Sequence, residues 1–132
     1  MSHENPLTES GNYFSWKTFI KSFSYAALGI LQFFKKEQNA KIHLVAAVVV
    51  SILSVWLRIS TMELLVVIFS IALVWITEMI NTALEQTMDM ISPEWHPKVK
   101  MIKDLAAGAV LVAALAALLA GCLIFIPKLL HL

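Results

Sequence analysis

Five polar side chains recur along one otherwise apolar stretch of this chain: Glu78, Asn81, Thr82, Glu85 and Asp89. Glu94, His96, Lys103 and Asp104 follow within two dozen residues, and long apolar runs lie on either side of the group. Ionisable residues at the edge of a membrane span are costly and by default mark a functional site. At about 100° per residue, with Glu78 at zero, Asn81 falls near −60°, Thr82 near +40°, Glu85 near −20° and Asp89 near +20°. All five therefore project within an arc of about 100°. Ile76, Met79, Ile80, Leu84 and Met88 take the remaining directions. A stripe this narrow must face protein or water rather than lipid.

The chemistry such a stripe suits depends on depth. A helix rises about 1.5 Å per residue, so a span entering from outside near Met62 carries Glu78 about 24 Å in and Glu85 about 35 Å in. Against a hydrocarbon core of about 30 Å, Glu78 sits just inside the cytoplasmic boundary and Glu85 just beyond it. Glu37, before the first span, and Lys103-Asp104, at the start of the third, reach the same level. That is where a lipid hydroxyl meets cytosolic water. A carboxylate there suits a general base acting on an alcohol. Carboxylates in the wetter layer, Glu37 and Glu85, suit Mg²⁺, a hard cation that keeps substrate phosphates among its oxygen ligands. A lysine beside them neutralises phosphate charge. These are the parts phosphoryl transfer requires. The glycines, Gly11, Gly29, Gly108 and Gly121, cannot form a G-x-x-x-x-G-K-[ST] loop, so a nucleotide must be held by metal and side chains.

The elements that position these groups follow from composition. Of 132 residues, 59% are hydrophobic, and mean hydropathy is +0.78. That describes a small membrane protein of one domain. A net charge of +1 gives no reason to expect nucleic-acid binding. The single Cys122 lies in an apolar run, so it is read as a small buried hydrophobe. Residues 1–12 read as a disordered polar start without the pattern of a cleavable signal. One lipid-associated domain is expected over 13–132. Its first part, about 13–36, mixes Phe14, Phe19, Phe23 and Phe33 with Lys17, Lys21 and Gln32, the pattern of an amphipathic helix lying in the interface.

Spans are expected over about 40–57, 62–80 with a cytoplasmic extension to about 91, and 105–126, with Ser92-Pro93 and Pro127-Lys128 as breakers. Eight lysines lie before or at the start of the first span or in the 92–104 connection, whereas the other side holds Arg58 and Lys128. The N-terminus and the 92–104 loop should be cytoplasmic and the C-terminus outside. Ala109, Ala113, Ala117 and Gly121 recur every fourth residue of the third span, a spacing that lets helices approach closely in lipid. The expected fold is thus all-α: three transmembrane helices and an N-terminal surface helix. Three helices make a thin bundle, so self-association is expected.

The run Glu78-Met79-Ile80-Asn81-Thr82-Ala83-Leu84-Glu85, with Asp89, His96 and Lys103-Asp104-Leu105-Ala106-Ala107-Gly108-Ala109-Val110, closely resembles the prokaryotic diacylglycerol kinase family. The resemblance extends from about Ser22 to Lys128. It implies a homotrimer in the bacterial plasma membrane, with active sites between protomers, that uses MgATP to phosphorylate a lipid alcohol. Carried over residue by residue, Glu78 looks like the base and Asn81 like an orienting group. Glu37 and Glu85 look like the ligands of Mg²⁺. Tyr25, Glu94, Trp95, His96, Lys103 and Asp104 match nucleotide-contacting positions. Glu37-Gln38-Asn39-Ala40-Lys41-Ile42-His43 and Ile124-Phe125-Ile126-Pro127-Lys128 look more like the Gram-positive branch, whose members phosphorylate undecaprenol. The enterobacterial branch, specific for diacylglycerol, has an acidic residue where His43 stands and an arginine near Thr18. A small proton-coupled transporter is the rival class, but it needs charge at mid-membrane. A purely structural oligomer built on the 109–121 face leaves the carboxylates of the second span without a purpose.

Overall fold

In a computed structural model, the described residues are 15–131. The expected disordered start over 1–12, and Tyr13 and Phe14 of the expected surface helix, lie outside them. Four helices account for nearly all of the described chain: α1 Trp16–Lys36, α2 Gln38–Trp56, α3 Thr61–Ile91 and α4 Pro97–Leu130. No strand occurs among the described residues. Helices α2, α3 and α4 are each long and apolar enough to cross a membrane.

The chain divides into two compact units, one ending at Gln32 and the other beginning at Phe33. The first holds most of α1. Trp16, Phe19 and Phe23 share one face there at helical spacing, with ring centroids 6.0 and 5.7 Å apart. The second unit carries the three long helices. Its first residues anchor on α3 through aromatic contact: the Phe34 ring meets Trp75 edge-on at 5.1 Å.

The link between α2 and α3 is built entirely from capping. Ile59 N–H donates to Ser54 O at 3.2 Å and Arg58 N–H to Val55 O at 3.3 Å. This is a Schellman closure, with Arg58 at φ 48° in the left-handed position where glycine is usual. Leu53 and Ile59 supply the accompanying apolar contact by packing against the same core cluster. Ser60 then caps α3: its Oγ accepts from Glu63 N–H at 3.3 Å while Glu63 Oε2 accepts from Ser60 N–H at 2.7 Å. Ser60→Ala is expected to cost about 1 kcal/mol, read as a lower thermal midpoint in detergent with lipid phosphorylation rates unchanged.

Helices α3 and α4 run antiparallel and form the main packing pair; α2 leans on α3 with a smaller contact. Ion pairs clamp the α3–α4 pair at both ends. Lys128 Nζ meets Glu63 Oε2 at 3.2 Å, and Lys103 Nζ meets Asp89 Oδ1 at 2.5 Å. Val67, Ile124 and Phe125 form a small buried core nearer the Glu63–Lys128 end, with Val50, Leu57 and Ile71 packed around it.

Two expected boundaries are corrected. Residues 97–104, taken from the sequence as part of a loop, belong to α4. The cause is local: Pro97 fits the first helical position, where its missing N–H is no loss, and His96 Nδ1 accepts from Lys98 N–H at 3.2 Å as the cap. The true connection is only Ser92–His96. At the other end α4 runs through Pro127 to Leu130 rather than stopping at Ile126. Proline removes one hydrogen bond there, and a helix already in its last turns continues past it.

Candidate active site

On α3 the polar stripe is buried at one end and open at the other. Glu78 is 4% exposed and Asn81 7%. Thr82 and Glu85 are half-buried, and Asp89 is exposed. Burial therefore fades toward the end of α3 as the helix leaves its neighbours. The stripe turns inward, because none of its members can be left facing hydrocarbon.

Glu78 has one polar neighbour among the described residues. Nε2 of His43, in the second turn of α2, lies 3.5 Å from its Oε1. The sequence reading did not select His43 for the site. The signal was present: His43 follows Glu37 by six residues, which puts it inside the membrane boundary at the depth of Glu78. One turn beyond Glu78, the Oδ1 of Asn81 is buried with no donor in reach. An acceptor left in that condition is costly, and such exceptions in folded proteins call for a ligand, a water or a partner chain.

His43 also lines an apolar cleft of about 460 Å³ between α2, α3 and α4. Its walls include Val50, Val67, Val74 and Trp75, with Ala117 and Gly121 on α4. Ala117 and Gly121 of the small-residue face thus line a groove within the chain, while Ala113 on the same face is buried. A Cβ added at Gly121 would meet only the Phe125 ring, at 4.0 Å. Cys122 also lines this cleft and is exposed. The expectation that it would be buried is therefore corrected: it borders the open cleft rather than close-packed side chains.

Glu37 is the single residue between α1 and α2. It occupies the N-cap position of α2, yet its side chain makes no capping bond. Glu85 is held by no hydrogen bond or ion pair among the described residues. Two half-buried carboxylates without protein partners are donors of the type that a hard cation accepts. The described residues contain no group of three acidic, histidine or cysteine side chains gathered for a metal. Each of the two carboxylates is an oxygen donor of the type magnesium takes, and the described residues form no all-protein metal cage.

The other expected site residues fall around the start of α4. Glu94 and Trp95 are exposed in the connection. Capping through Nδ1 leaves the outer nitrogen of His96 as a donor. Lys103 is half-buried and paired with Asp89. Asp104 is exposed and paired with Lys100 one turn earlier. Lys98, Lys100 and Lys103 stand in the first two turns of a helix whose N-terminus itself favours anions. Tyr25 is exposed on the first unit.

The model of the prokaryotic diacylglycerol kinase family matches residues 24–125. The chain is 40% identical over 111 residues to an undecaprenol kinase of Bacillus subtilis, covering 84% of this chain and 90% of that one. It is 38% identical over 114 residues to a diacylglycerol kinase of Synechocystis, covering 86% of this chain and 65% of the relative. A diacylglycerol kinase of Escherichia coli is 27% identical over 115 residues, 87% of this chain and 94% of the relative.

Proposed function

Since the chain belongs to the prokaryotic diacylglycerol kinase family and is an ATP-dependent lipid kinase, we propose that its acceptor is undecaprenol and that it works as a homotrimer in the bacterial plasma membrane. The observation that carries this reading is the burial of Glu78 on a stripe that opens toward unpartnered Glu85 within two helical turns. A base meant for a lipid hydroxyl belongs in the dry part, and groups meant for a soluble nucleotide belong in the wet part.

In the proposed reaction Glu78 takes the proton of the lipid hydroxyl. The freed oxygen attacks the γ-phosphorus of ATP, a new P–O bond forms, and the bond to ADP breaks with ADP keeping the electron pair. Asn81 orients the hydroxyl through its otherwise unmatched Oδ1. Glu37 and Glu85 would hold Mg²⁺, which would supply neutralisation of the phosphate charge. Lys103 and the outer nitrogen of His96 face the same phosphates, aided by the N-terminus of α4. Asp104 steadies Lys100 nearby, while Glu94, Trp95 and Tyr25 contact the nucleoside. Residues 92–96 lie on the cytoplasmic side, and the C-terminus lies outside.

Undecaprenol is preferred because the B. subtilis relative that carries that name is 40% identical to this chain over nearly its whole length. The relatives named diacylglycerol kinase keep that lipid as the second candidate. The transporter alternative has no support from the family match. Purified protein in mixed micelles with labelled ATP and Mg²⁺ decides between the lipids. Undecaprenol is expected to be phosphorylated at least tenfold faster than diacylglycerol, and chelation by EDTA to stop the reaction with either. Faster transfer to diacylglycerol would reverse the substrate assignment, and transfer to neither would remove the kinase reading.

A further inference from the structure

A carboxylate that is 4% exposed cannot rely on water to hold its orientation. Burying such a group without a partner costs several kcal/mol in general. Glu78 nonetheless has just one polar group within reach among the described residues, the imidazole of His43 on the neighbouring helix. The side chains are 25% and 5% exposed, so the contact is largely shielded and electrostatically stronger than a surface pair. At 3.5 Å the approach from Nε2 to Oε1 is longer than a formed hydrogen bond. Contacts of this kind in the free state of an enzyme commonly tighten once the reactants are seated.

The pair has a consequence for geometry. A carboxylate held at one oxygen cannot spin freely about its last bond, so the second oxygen acquires a fixed direction. We propose that His43 is a positioning residue for phosphoryl transfer: its Nε2–H holds Oε1 of Glu78 so that Oε2 faces the lipid hydroxyl. This rests on the kinase reading above and adds a residue on α2 to a base carried by α3. His43 touches neither nucleotide nor reacting phosphorus in this account; it acts through Glu78. It also lines the apolar cleft, so the pair stands next to space that a lipid can enter.

The reach of the side chain provides the test. A glutamine amide nitrogen sits as many bonds from Cβ as imidazole Nε2, whereas the asparagine nitrogen stops one bond short. His43→Asn is expected to lower kcat for lipid phosphorylation by ten- to hundredfold, the scale of a small misplacement of a reacting group. KM for MgATP should stay unchanged. His43→Gln is expected to recover most of the loss. Thermal midpoint and oligomer size in detergent are compared for all three proteins, because a packing role alone would lower both variants alike. Full kcat in His43→Asn, equal losses in both variants, or a change confined to KM would overturn the positioning role while leaving the kinase reading intact. An unmodified protein inactive on both lipids would instead remove the kinase reading and the role of His43 with it.

Discussion

Glu78→Gln is expected to lower kcat by about a thousandfold while nucleotide binding stays close to that of the unmodified protein. The substitution keeps side-chain volume and an oxygen that His43 can still approach, so the packing of α3 is preserved. What disappears is the ability to take a proton. General-base assistance is worth about a hundred to ten thousandfold, and the expected loss lies in the middle of that range. Stability should move the other way. The glutamine removes a carboxyl group from a position that is 4% exposed, and the isosteric amide is less costly to bury there. A variant that melts no lower than the parent yet has lost nearly all turnover is therefore the diagnostic combination. Retention of more than a tenth of the parental kcat would show that the hydroxyl proton leaves by another route.

Glu85→Gln is expected to separate nucleotide binding from lipid binding. The Glu85 carboxylate is half-buried and unpartnered among the described residues, so its removal breaks no ion pair of the fold. Losing a ligand from a hard-cation site is expected to raise KM for MgATP about a hundredfold, since even the supporting groups around a metal are worth ten to a hundredfold. Binding of a fluorescent ATP analogue, titrated with Mg²⁺, reads this directly. The Glu37→Gln change should produce much the same defect, and the double variant little more than either alone, because two ligands of one ion act as a unit. Magnesium-dependent binding of parental strength in Glu85→Gln would take this residue out of the site.

The residue pattern announced the helices because each has a local cause. Apolar runs of sufficient length and the break at Ser92-Pro93 act within a few residues of where they are read. Pro127 misled because one residue type both opens and interrupts helices, and only backbone position distinguishes the two effects. The stripe from Glu78 to Asp89 was visible for the same reason that helices are: its period is that of the helix. For His43 only the depth match to Glu78 was visible. Its meeting with Glu78 depends on how α2 crosses α3, which no spacing along one helix encodes. The exposure of Cys122 escaped for a related reason, since hydrophobicity does not distinguish the side of a span that meets protein from the side that meets lipid.

Helix α3 is one unbroken rod of 31 residues, about 46 Å at the ordinary helical rise. It has no internal hinge, so Glu78 and Glu85 keep a fixed separation along the helix axis however the rest of the chain moves. A bilayer with longer acyl chains can be met only by tilting the rod or distorting the surrounding lipid. Either adjustment changes how deeply the acceptor alcohol must travel to reach the carboxylate. The enzyme thus carries a built-in ruler, and membrane thickness becomes a quantity that its turnover follows.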